Sequence, residues 1–240
     1  MSIRNRMKKL IYGDLATADS FLDSLRRKGA FIGEGTTLFC SPRDCLIDGQ
    51  NPYLLTIGKN VQITRGVIML THDYSWSVIK GRFGEVCGGQ FPLTIGDNVF
   101  IGMNSVILGG TIIGDDCIIG AGSVVKGRIP SGSVAVGNPA RVICTIDEYR
   151  DKRRACQRQE AFEVYRNWYE RYKIRPPREL FREYFWLFES SASDLPPAFL
   201  EVNSYIDFEL TERVFAVWTP EFDGFGEFEK YCLERMANED

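Results

Sequence analysis

Ile95-Gly-Asp-Asn-Val-Phe-Ile101-Gly-Met-Asn-Ser-Val-Ile107-Leu-Gly-Gly-Thr-Ile-Ile113-Gly-Asp-Asp-Cys-Ile-Ile119-Gly-Ala-Gly-Ser-Val-Val125 repeats every six residues. An aliphatic residue opens each unit. Glycine follows it at Gly96, Gly102, Gly114 and Gly120, and Leu108 and Lys126 break that column. Two places before each later aliphatic sits a small or medium side chain: Val99, Ser105, Thr111, Cys117 or Ser123. A period of six fits neither a helix at 3.6 residues per turn nor an alternating hairpin ladder. It fits a three-sided parallel β-helix, in which one hexapeptide makes one flat face and one corner and about eighteen residues make a coil. The aliphatic points into the prism, and the small residue permits a tight corner.

Working outward, Ile32-Gly33 and Leu38 open the pattern, Pro42 and Asn51-Pro52 blur it, and Ile57-Gly58, Ile63 and Met69 complete one coil. From Leu70 to Pro92 no repeat can be placed. An insertion there has no role in the core, so the sequence predicts a projecting loop over 70–92, and long loops in compact domains are usually functional. The turn-rich stretch from Ile129-Pro130 to Ile143 reads as the end of the prism. Upstream, Leu15, Ala18, Phe21, Leu22 and Leu25 have helical spacing, closed by Gly29. Downstream, helical patterns run from Tyr149 to Lys173, from Arg178 to Glu189 and from Phe225 to Met236. Pro176-Pro177 breaks the first two apart, and Ser190 to Pro197 reads as a linker. The expected organisation is an N-terminal helical segment (1–29), a β-helix (30–145) with its inserted loop, and an α-helical extension (146–240).

The net charge of -3 gives no general electrostatic argument for nucleic acid or an anionic membrane. No stretch approaches the ~20 apolar residues that span a bilayer. Met7 to Tyr12 is too short and too broken for a signal-peptide core. Seven cysteines form an odd set without a CxxC pair, which suggests free thiols in a reducing cytoplasm.

The chain has one histidine, His72, where the regular scaffold meets the insertion. Imidazole is the side chain whose ordinary titration range suits proton abstraction near neutrality. A single histidine cannot supply a three-histidine zinc site, so no metal is expected.

The repeat, the insertion opening Thr71-His72-Asp73, the block from Ile95 to Ile107, Ile119-Gly-Ala-Gly-Ser-Val-Val, and Val136-Gly-Asn-Pro-Ala-Arg-Val-Ile143 together resemble the hexapeptide-repeat acyltransferases. Among them, the sugar O-acetyltransferases of the maltose and galactoside type and those of capsule and O-antigen synthesis are most similar. That resemblance implies a left-handed parallel β-helix, an all-β solenoid. It implies a homotrimer with clefts between neighbouring prisms, acetyl-CoA as acyl donor and a sugar as acceptor. By the same likeness His72 is the general base, with Asp73 or Glu85 as candidates to hold its other ring nitrogen. Met103 and Ala121 would offer main-chain groups to the donor's pantetheine arm, and Lys126 and Arg141 would approach its phosphates. Lys126 departs from the usual Thr-Lys pair. On the acceptor side, Asp48, Asn51, Tyr74 and Trp76 combine polar groups with rings on which a sugar face can stack.

Three functions remain open at this level: O-acetylation of a saccharide, N-acetylation of an amino sugar, and a catalytically silent scaffold. Cys87, also in the insertion, is a further candidate nucleophile, but no second histidine is present to activate it.

Overall fold

The computed structural model of the chain describes residues 10–191 and 195–239. Residues 1–9 of the expected N-terminal segment, residues 192–194 of the expected linker, and Asp240 lie outside that description. The chain divides into two compact units, Met1–Tyr149 and Arg150–Asp240.

The first unit opens with helix α1 (Ala18–Arg27), started by a reciprocal pair of bonds between Thr17 and Ser20. Its Leu22 and Leu25 are buried in the same core as the β-structure, so the helix plugs the prism and is no separate module. Fourteen short strands then wind three parallel faces. Face A contains β1 (Phe31–Ile32), β4 (Leu55–Ile57), β9 (Leu93–Ile95), β12 (Ile112–Ile113) and β15 (Arg128–Ile129). Face B contains β2 (Thr37–Leu38), β5 (Gln62–Ile63), β10 (Phe100–Ile101), β13 (Ile118–Ile119) and β16 (Ser133–Gly137). Face C contains β3 (Leu46–Ile47), β6 (Ile68–Met69), β11 (Val106–Ile107) and β14 (Val124–Val125). Strands of one face pair in register across coils, as in Ile101↔Ile119 and Ile107↔Val125. The aliphatics of the sixfold repeat therefore stack on their own kind, and Ile57, Ile63, Ile101, Ile107 and Ile119 are fully buried.

The glycine column has a specific cause. A Cβ on Gly102 would lie 2.5 Å from the Ala121 amide nitrogen and 2.8 Å from the Gly120 carbonyl carbon, atoms of the next coil. A Cβ on Gly58 would meet the Gly96 carbonyl at 2.5 Å. These glycines are required by the approach of the neighbouring main chain, whereas the left-handed turn falls two residues later. Asn60, Asn98, Asn104 and Asp116 take positive φ there, beside Gly66, Gly110 and Gly122. Asn and Asp tolerate that region better than other residues with a Cβ.

Within the stretch from Ile129 to Ile143 lie the last strands of the prism: β15 pairs with β12, and β16 pairs with β13. Ile129 follows Val125 by four positions instead of six, because Gly127 turns the corner at φ 86. The strand β17 (Ala140–Thr145) then folds back antiparallel on β16. The insertion, expected as a projecting loop, is no plain loop. His72–Asp73 (β7) and Gly89–Gln90 (β8) close its neck as an antiparallel ribbon, and Trp76–Phe83 is a helix, α2.

The second unit is all helical and aromatic. Helix α3 (Ile146–Tyr172) enters it and buries Ala161, Phe162 and Tyr165. The helix expected over Arg178 to Glu189 is instead two 3₁₀ turns, Arg178–Phe181 and Phe185–Leu187, with i→i+3 bonds such as Tyr184 N–H to Phe181 O at 2.8 Å. Burial of Phe181, Phe185 and Phe188 overrides the local helical preference. Two helices not foreseen from sequence, α4 (Pro197–Asn203) and α5 (Phe208–Phe215), precede α6 (Phe225–Glu239). Phe199, Phe215 and Phe228 join the same core.

Gly102→Ala should destabilise the first unit by about 1–3 kcal/mol through overpacking against the next coil. Gly88→Ala, where an added Cβ meets nothing within 4 Å, should leave stability unchanged. Urea melts of the two variants check the contrast.

Candidate active site

The corner that joins face C to face A is the one with no glycine directly after its inward aliphatics. At the A–B corner the residue after the inward aliphatic is Gly33, Gly58, Gly96 or Gly114 on successive coils. At the C–A corner the equivalent residues are Asp48, Leu70, Leu108 and Lys126, all with side chains. The two breaks in the glycine column thus lie on one edge of the prism. The insertion leaves from that edge.

Its departure is firmly anchored. Leu70 N–H donates to Ile107 O at 3.0 Å, and Phe91 N–H donates to Thr71 O at 2.8 Å. Thr71 is fully buried, and His72 follows it on β7 with its side chain 18 % exposed. Beneath lies Asp48, one coil earlier on the same edge and buried. His72 Nδ1 stands 2.5 Å from Asp48 Oδ2. The same carboxylate accepts from the Thr71 amide at 3.1 Å, from the Thr71 hydroxyl, and, through Oδ1, from the Gln50 amide at 2.9 Å. Burial alone would push the Asp48 carboxyl up. The bonds from the Thr71 hydroxyl, the Gln50 amide, His72 and the Thr71 amide outweigh it and hold the group below its ordinary range.

An ionised carboxylate can only accept, so Nδ1 carries the proton of the neutral ring and Nε2 is left with its lone pair free. Tyr74 braces the imidazole from the side, ring edge to ring at 4.7 Å and 67°. Its hydroxyl donates to Gln50 Oε1 at 2.8 Å.

Two clefts meet at His72. The first, about 570 Å³, is lined by Leu70, Phe91, Leu108 and Gly109 with Lys126 beside them, so its walls are apolar with one cation. The second, about 350 Å³, is lined by Gln50, Asn51, Trp76 and Gln90, amides beside an aromatic ring. His72, Asp73 and Tyr74 border both. A base between an apolar channel and a polar pocket can accept a proton from a group bound in either.

The expected site residues fare unequally. Asn51, Tyr74, Trp76 and Lys126 line these clefts with His72. Asp48 is no acceptor ligand: its oxygens are occupied by Thr71, His72 and Gln50, and it is the histidine's partner. The expected partners are therefore corrected. Asp73 borders both clefts but accepts from the Ser75 amide at 2.7 Å, and Glu85 is exposed in the stretch after α2. Met103 and Ala121 lie together at the B–C corner, joined by the bond from Gly122 N–H to Met103 O, and line neither cleft. Arg141 lies exposed on β17 and also lines neither. Gln50 and Gln90 were not anticipated. Asp48 was misassigned although its signal was present, as a polar residue in the corner column beside Leu70, Leu108 and Lys126.

Residues 92–127 match the model of a family described as bacterial transferase hexapeptide (six repeats). Protein CapG of Staphylococcus aureus is 40% identical over 130 residues, which cover 54% of this chain and 74% of that protein. Galactoside O-acetyltransferase of Escherichia coli (strain K12) is 44% identical over 100 residues, 42% of this chain and 48% of that one. The chain thus spans about half the length of the second relative. Among solved structures, a maltose O-acetyltransferase from Clostridium difficile 630 aligns with a TM-score of 0.41 at 27% identity, covering 59% of this chain and 81% of that one. A galactoside acetyltransferase in complex with coenzyme A aligns with a TM-score of 0.42 at 28% identity, covering 63% and 86%.

Asp48→Asn should leave donors at Thr71 and Gln50 poorly matched and lower stability by about 1–3 kcal/mol at neutral pH. Because the folded carboxyl titrates below its unfolded value of about 3.9, the wild-type advantage should be complete above that pH and fade as pH falls through the lower folded value. Paired denaturant melts of wild type and variant at neutral and acid pH check both the size and the sign.

Proposed function

Because the chain belongs to the bacterial hexapeptide-repeat transferases, we propose that this acyltransferase moves an acetyl group from acetyl-CoA to a hydroxyl of a saccharide, part of a surface polysaccharide or a related sugar. The observation that carries the reading is the Asp48–His72 pair standing where the two clefts meet. The apolar cleft suits the pantetheine arm, with the Lys126 ammonium available to a phosphate. The cleft of amides around Trp76 suits a sugar, whose hydroxyls hydrogen-bond while its apolar face stacks.

In the proposed reaction the acceptor oxygen attacks the thioester carbonyl as His72 Nε2 takes the hydroxyl proton. A new C–O bond forms, the C–S bond breaks, and the proton passes from Nε2 to the departing thiolate. The products are the acetyl ester and the CoA thiol. Asp48 fixes the tautomer and offsets the charge on the imidazolium. Gly109 and Gly127 bring bare main chain to the first cleft, where amide groups suit a developing oxyanion.

Assembly and winding belong to the same proposal. Face C turns Leu46, Ile68, Val106 and Val124 outward in one in-register aliphatic ladder. An apolar sheet face of this kind favours association with like faces. The chain is read as a homotrimer of left-handed prisms acting in the cytoplasm. Among the described residues no helix is long and apolar enough to cross a membrane.

His72→Asn should lower turnover by roughly 10²–10⁴-fold, since it deletes general-base catalysis. It should retain the rise in melting temperature that acetyl-CoA gives a folded binder. Thiol release assays with thermal shift measure both, and full activity in the variant would remove the base. Ile68→Glu, which plants a charge in the outward ladder, should convert trimer to monomer in sedimentation.

A further inference from the structure

Asp73 is the one carboxylate on the wall of the polar cleft, beside His72. The remaining side chains there are Gln50, Asn51, Tyr74, Trp76 and Gln90, and no lysine or arginine lines it. Asp73 borders both clefts together with His72, so its carboxylate lies near the point of reaction. The Ser75 amide binds its Oδ1 at 2.7 Å, which fixes the side chain at the start of the insertion. The bonds from the Ser75 amide and hydroxyl also hold the carboxyl below its ordinary range, so it is ionised at neutral pH. The nearest cation, Lys126, lines the apolar cleft that Asp73 also borders, where its charge further favours the Asp73 carboxylate, and it does not line the polar one.

On the reading of that pocket as the acceptor site, we propose that Asp73 sorts acceptors by charge: the site takes neutral and amino-bearing pyranosides and turns away sugar acids. A carboxylate on the acceptor would find no cation in the cleft and would face Asp73 at short range. A protonated amine on the acceptor would find in Asp73 a partner of opposite sign. The neutral amides contribute hydrogen bonds to all three types and so cannot discriminate among them. Because Asp73 is exposed to water, its influence is moderate and screened by salt.

The test uses the full-length protein with acetyl-CoA and three acceptors of one ring configuration: galactose, galactosamine and galacturonate. Relative kcat/KM should run galactosamine above galactose above galacturonate, with neighbouring acceptors separated by roughly three- to ten-fold at low ionic strength, as expected of a solvent-screened charge pair. Asp73→Asn keeps an oxygen for the Ser75 amide and removes the charge. In that variant the amine-to-neutral ratio should fall and the acid-to-neutral ratio should rise. Both wild-type ratios should also shrink toward one at about 0.5 M salt. A merely structural role would lower all three activities together and leave the ratios unmoved, and that result overturns the proposal. So does a wild type that uses galacturonate as well as galactose. Absence of turnover with all three sugars, in a protein that acetyl-CoA still stabilises, would instead remove the saccharide reading itself and this proposal with it.

Discussion

Coil lies on coil at the β-spacing of roughly 4.8 Å, and everything else in the first unit follows from that approach. At such a distance a side chain in the corner column meets the main chain of the next turn, as the 2.5 Å approach of a hypothetical Cβ on Gly102 to the Ala121 nitrogen makes plain. The A–B edge is therefore largely stripped to glycine, and the B–C edge carries glycine at Gly102 and Gly120. The third keeps its side chains, and it is the edge from which the insertion departs. A scaffold with almost no freedom at its corners thus offers one edge at which chemistry can be mounted.

That mounting is rigid for the same reason. Asp48 and His72 are held by consecutive coils, and the distance between them is set by the backbone ladder that spaces the whole prism. Asp48 N–H donates to Met69 O at 3.0 Å, and Leu70 N–H donates to Ile107 O at 3.0 Å. The imidazole therefore needs no loop to hold it. The ribbon β7–β8 and helix α2 arch outward from it and supply Tyr74 and Trp76 to the walls. Burial of the carboxylate would be costly by itself. Four hydrogen bonds from Thr71, Gln50 and His72 make it an anion that orients the ring, with the Nε2 lone pair left free.

Much of this was legible in residue order. The sixfold recurrence of Ile95, Ile101, Ile107, Ile113, Ile119 and Val125 dictates the solenoid, because burial inside a prism is periodic in sequence. His72 stood out because it is the only imidazole and sits where the repeat stops. Its partner is Asp48 and neither of the candidates in the insertion, Asp73 and Glu85. In a coil of this size the nearest neighbour across the ladder lies a full turn away, and Asp48 is 24 positions from His72. Beyond Val125 the sixfold spacing slips, because Gly127 shortens one corner by two residues and shifts the phase. In the second unit, the aromatic spacing revealed a helical core. The 3₁₀ turns around Phe181 and Phe185 and the short helices α4 and α5 follow from how those rings pack, which no local pattern encodes.

By itself the sequence determined the three-faced solenoid, the interruption at Leu70 and the solitary histidine, since each is a matter of spacing or of residue type along one chain. Only the tertiary structure decided which acid holds the histidine, that Leu70, Leu108 and Lys126 share its edge, and that two clefts of different polarity meet there. The physical reason is that winding brings together residues from successive coils. Their separation in sequence depends on every insertion between them, and their separation in space is fixed by the hydrogen-bonded ladder.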